Sequence, residues 1–156
     1  MSKQRVEERV TGAVSSYDAD FFEWTQQTAE LIRQRRLNEA DLEHVAEEIA
    51  DMGKRDRREV RSRMVVLMAH LLKWQLQPTL RGTSSWKATI IEQRAQLALV
   101  LADSPSLRRI PENEIEAIYE SAVERAVAET RLAADGFPAG CPYLLSEIVD
   151  SGFFPE

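Results

Sequence analysis

The chain has one cysteine in 156 residues, Cys141. An internal disulfide is therefore excluded, and a lone thiol suits a reducing compartment. Histidine is almost as scarce, with only His44 and His70, and a zinc site of the usual composition lacks ligands. Six glycines are spread along the chain, and they form neither a phosphate-binding loop nor a Gly-x-Ser-x-Gly elbow. No apolar run approaches the roughly 18 residues of a membrane span. Met1 to Ser16 lack the apolar stretch of a signal peptide. Strand-like alternation, internal repeats and low-complexity tracts are also missing. The net charge of −6 argues against a general nucleic-acid binder, which is basic overall. These absences lead us to expect a cytoplasmic protein with no membrane or nucleic-acid partner.

What is present reads as helix. Residues 1–16 are polar and are expected to form a mobile arm, with a single helical domain over 17–156. Asp18 is a candidate N-cap, followed by Phe21, Phe22, Thr25, Thr28, Ala29 and Ile32 at helical spacing to about Arg36. A longer stripe runs Leu42, Val45, Ile49, Met52, then Val60, Met64, Leu67, Leu71 and Trp74. Gly53 interrupts it. The stripe is one long helix kinked there, or two helices closed by the glycine, and the spacing slightly favours the first. Pro78 and Gly82 end it. Further apolar stripes start after Ser84-Ser85 and at Pro111, with a short helix near Leu144. The expected fold is an all-α, up-and-down bundle of five or six helices. Trp74 should be buried against Trp86 or the first helix.

Charge is segregated along the long stripe. Residues 39–51 carry Glu39, Asp41, Glu43, Glu47, Glu48 and Asp51 without a Lys or Arg. Residues 54–63 carry Lys54, Arg55, Arg57, Arg58, Arg61 and Arg63 against Asp56 and Glu59. Three readings compete. The first is a solvated face with weak i,i+4 pairs such as Asp51 with Arg55. The second is a pair of patches that meet within one chain or across a dimer. The third is phosphate contact by Arg55, Arg57, Arg58 and Arg61, which the flanking acids and the lack of interleaved aromatics oppose.

Candidate chemistry is thin. A di-iron site needs Glu-x-x-His pairs, and neither histidine has a glutamate three positions before it. No metal and no cofactor is expected. Cys141 would be a nucleophile only if a helix began at Pro142 and lowered its pKa; a small filler role suits it better. The tryptophans are better read as core anchors than as a cofactor box.

Several segments nevertheless form an ordered set: Tyr17-Asp18-Ala19-Asp20-Phe21-Phe22-Glu23-Trp24, Val45 to Gly53, and His70 to Pro78. Ser85-Trp86, Thr89-Ile90, Gln93-Arg94, Ser104-Pro105-Ser106-Leu107, Cys141-Pro142-Tyr143 and Phe153 to Glu156 continue it. Together they resemble the domain of unknown function family twenty-nine over about residues 17–156. The resemblance implies a small bacterial helical protein and supplies no activity. It directs attention to the polar residues Glu47, Glu48, His70, Lys73, Gln93 and Arg94, which either pair inside the bundle or line a pocket. Two functions follow as expectations. One is an interaction module that forms a homodimer or docks a protein partner. The other is an enzyme with a Glu/His/Arg pocket, with or without the assistance of a metal.

Overall fold

The computed structural model describes residues 15–156. Of the expected N-terminal arm, only Ser15 and Ser16 fall among the described residues. Five α-helices are present, with short 3-10 turns between them: α1 Phe21–Arg33, α2 Leu42–Leu76, α3 Trp86–Asp103, α4 Arg109–Thr130 and α5 Leu145–Val149. No strand occurs among the described residues. The protein is an all-α helical bundle, as its periodicity requires. The chain divides into two compact units, Met1–Asp51 and Met52–Glu156.

In the first unit, Asp20 rather than Asp18 caps α1. Its backbone is extended, with φ −152°, and its carboxylate accepts from the Glu23 N–H at 3.0 Å. This satisfies one of the donors that a helix start leaves open. The helix ends where Arg35 turns left-handed, with φ 59°, and the Arg36 N–H returns to the Leu31 carbonyl at 2.9 Å. Trp24, Thr28 and Leu31 are the only buried residues described in this unit. Phe21 and Phe22, expected on the inner face, are 48% and 71% exposed.

The continuity of α2 settles the reading of Gly53. Helix persists from Leu42 to Leu76, and no hairpin forms at the glycine. A Cβ at Gly53 would meet nothing within 4 Å, so the residue is neither a cap nor a close contact in this chain. The helix stops before Gln77, whose φ of −129° and ψ of 63° leave the α region that a following proline disfavours.

The second unit holds the main core. Val60, Met64, Leu67, Met68, Leu71 and Leu72 of α2 pack with Ile90 and Leu97 of α3. Ile118, Ala122 and Ala126 of α4 and Ile148 of α5 complete it. Each fully buried aliphatic side chain contributes about 1.5 to 3 kcal/mol. Trp74 departs from expectation. It is only half-buried, and it packs on Phe154, 5.1 Å between ring centres, not on Trp86 or α1. The Arg81 guanidinium lies 5.2 Å over its ring. The C-terminal segment thus covers a face that the sequence assigned to a helix.

Candidate functional site

Of the six polar residues highlighted by sequence, Glu47 and Glu48 belong to the first unit and His70, Lys73, Gln93 and Arg94 to the second. In the first unit, Tyr17 organises a small aromatic cluster. Its ring stacks on His44 at 4.1 Å and meets Trp24 edge-on at 5.0 Å. Its hydroxyl donates to Glu48 Oε1 at 2.5 Å. That hydrogen bond, reinforced by burial and by the Glu48 charge, pushes the phenol up to about 12. His44 Nδ1 lies 2.6 Å from Asp41 Oδ2, and the bond raises the imidazole pKa. Glu47 is exposed.

In the second unit, α2 presents His70 and Lys73 one turn apart, so the two meet each other and Lys73 reaches Glu129 on α4. Lys73 is 4% exposed. Its ammonium donates to Glu129 Oε2 and lies 3.2 Å from His70 Nε2. His70 Nδ1 sits 2.8 Å from the Val66 carbonyl. The arrangement is consistent with one tautomer: Nδ1–H donates to the carbonyl, and Nε2 accepts from the lysine. Burial holds the His70 pKa below its ordinary value, and the Lys73 charge adds to this against the Val66 bond. Burial alone would raise Glu129, but the Lys73 bond and charge, with Arg125, more than reverse it, so its pKa is lowered. Lys73 also lies 5.5 Å over the Trp86 ring. A neutral imidazole and a held, buried ammonium meet an ionised, partly exposed carboxylate, and the three join α2 to α4. Glu129 was not anticipated. It is one glutamate among many on α4, and only the fold singles it out.

Arg94 does not pair with a glutamate. It is 6% exposed. Its Nε donates to the Ile148 carbonyl at 2.8 Å and its Nη2 to the Glu147 carbonyl at 3.3 Å. These contacts cap the end of α5. Gln93 accepts from Arg63 Nη1 at 3.4 Å and borders a shallow cavity of about 320 Å³ with Glu59, Ser62 and Val66. A second cavity, of about 350 Å³, lies beside Arg94. Neither cavity is lined by His70, Lys73 or Glu129.

The basic patch also has partners outside the acidic block. Arg57 donates to Glu114 of α4 at 2.6 Å, and Arg61 approaches the same carboxylate at 4.0 Å. Arg55 and Arg58 are exposed on α2, and Arg58 forms no ion pair among the described residues. Cys141 is not at a helix start, because α5 begins at Leu145. Its thiol points to the Tyr143 carbonyl at 3.4 Å, and burial pushes its pKa up, which removes the condition for nucleophilicity. Among the described residues, no group of three or more His, Cys, Asp and Glu is placed to hold a metal ion. No helix there is long and apolar enough to cross a membrane.

These features define a helical-bundle protein with a structural polar core. The model of the family described as "Domain of unknown function DUF29" matches residues 16–154, and the chain belongs to that family. No curated protein and no solved structure matches it significantly.

Proposed function

We propose that this protein is a homodimerising interaction module of the bacterial cytoplasm, with the first unit of one copy meeting residues 54–63 of the other. The observation that carries the reading is the exposure of large apolar side chains in the first unit. Phe22 is 71% exposed, Ile49 65%, Phe21 48% and Leu42 47%. Contiguous exposed apolar groups are costly on a monomer and mark association sites. Leu42, Ala46 and Ile49 follow at i, i+4 and i+7, the spacing of a helix seam, and all three are exposed. Three buried residues are few for a unit of this kind, and small units commonly gain their stability by oligomerising.

A second copy is the occupant that charge favours. Residues 39–51 hold six acids and no Lys or Arg, so their partner should flank its apolar positions with cations. Residues 54–63 of another copy have that composition, and Arg58 forms no ion pair among the described residues. A two-fold axis makes the contact twice. Within the second unit, Arg94 donates to the Ile148 and Glu147 carbonyls while His70 engages Val66 and Lys73, which favours this reading over the alternative, an enzyme with a Glu/His/Arg pocket. Sedimentation equilibrium of the full chain at 0.1 M and 1 M salt tests the proposal. We expect a dimer whose dissociation constant rises several-fold at high salt, as the screening length falls from about 10 Å to about 3 Å. A monomer at all concentrations would overturn it.

A further inference from the structure

The second cavity of the Met52–Glu156 unit has features that a packing defect lacks. Its walls are mainly apolar, from Leu97, Leu101, Leu145 and Val149, and its volume of about 350 Å³ falls in the range of small-molecule sites. At one side stands Arg94, more than nine-tenths buried. Its two hydrogen bonds go to neutral carbonyls. Its third nitrogen, Nη1, is buried and has no hydrogen-bond partner. Arg94 also forms no ion pair among the described residues. The guanidinium lies 5.4 Å over the Phe154 ring, but its idle donor leaves the buried group incompletely hydrogen-bonded. The depression of its pKa by burial, only partly offset by the charge of Asp150, expresses the same deficit.

The other charged lining groups are Arg108 and Glu112. Both are exposed, and Arg108 forms no ion pair among the described residues. With the Asp150 charge that also acts on Arg94, cations and anions around the cavity are equal in number. A ligand is therefore limited to a single negative charge, since a second would face Glu112 unbalanced. An arginine edge recognises a planar carboxylate particularly well. We propose that this cavity binds a small monocarboxylate with an apolar body, its carboxylate taken by Arg94 and Arg108 and its hydrocarbon by the leucine walls.

Octanoate and its neutral counterpart octan-1-ol are suitable probes, titrated calorimetrically into the full-length protein. Octanoate should bind one per chain, and octanol about tenfold or more weaker, the difference expected for a charge-assisted bond. Arg108→Ala, at an exposed position, should weaken octanoate several-fold. Arg94→Leu should abolish binding, but it also uncaps α5, so Ala98→Phe provides the independent variant. Ala98 is exposed and lines the cavity; a phenylalanine there should fill the space while leaving the helical circular dichroism unchanged. Octanol binding as tightly as octanoate would overturn the proposal. So would no octanoate binding up to about 1 mM, or full binding by a folded Ala98→Phe.

Discussion

At the scale of single residues, the pair of Lys73 with Glu129 has the clearest energetic consequence. Removing the carboxylate leaves a buried ammonium whose remaining partner is a neutral imidazole. Glu129→Ala should therefore cost about 2 to 3 kcal/mol in urea unfolding, below the full penalty of a buried pair because Glu129 is about a third exposed. Replacing both partners, as Lys73→Met with Glu129→Leu, should recover most of that loss. A single variant with no measurable effect would show that the lysine finds water. His70 gives a pH dependence of defined sign. Its folded pKa lies below the ordinary 6.5, so its contribution is present above that value and lost as pH falls through the folded pKa. Glu129, held below 4.5, adds a second loss at lower pH. His44 has the opposite sign: its contribution is present below 6.5 and lost as pH rises through its raised pKa, and its exposure keeps it small. Urea midpoints should fall between pH 7 and pH 5. His70→Gln, which keeps a donor and an acceptor but does not titrate, should flatten that fall.

At the scale of elements, α2 carries a removable cost. Gly53 sits in the helix interior with open space around its missing Cβ. Gly53→Ala should stabilise the fold by about 1 kcal/mol, measurable as a higher thermal midpoint. A destabilisation would mean that something approaches the glycine closely, as a second copy crossing there would. Arg131, left-handed at φ 62° at the end of α4, offers a parallel case, and Arg131→Gly should gain up to about 1 kcal/mol.

The elements also show why sequence reading succeeded unevenly. Helical spacing from Leu42 to Trp74 named α2, and Val60, Met64, Leu67 and Leu71 are fully buried as the stripe requires. The same stripe gave no hint that Leu42, Ile49 and Met52 stay exposed, because periodicity specifies which face is apolar and not what covers it. Trp74 was misjudged because its partner, Phe154, lies 80 positions away in a segment without periodicity. Among the candidate site residues, His70 and Lys73 lie one turn apart on α2 and meet there. The lysine's partner Glu129, and the carbonyl partners of Arg94, depend on tertiary packing that spacing does not encode.

At the scale of the whole molecule, the proposed association unites the two features that the monomer leaves unexplained: an exposed apolar seam and segregated charge. Arg58→Glu tests the charge component, since Arg58 forms no ion pair among the described residues and its reversal should weaken the dimer with no loss of fold. Ile49→Glu tests the seam. Ile49 is 65% exposed, so the substitution costs the monomer little, but it would place an uncompensated carboxylate in the apolar contact. The most direct measurement is sedimentation equilibrium of the full chain beside Ile49→Glu at matched concentration and salt. The wild-type chain should show twice the single-chain mass, and the variant should sediment as a folded monomer. A wild-type monomer, or a dimer that Ile49→Glu leaves intact, would contradict the assignment of the first unit to the association surface.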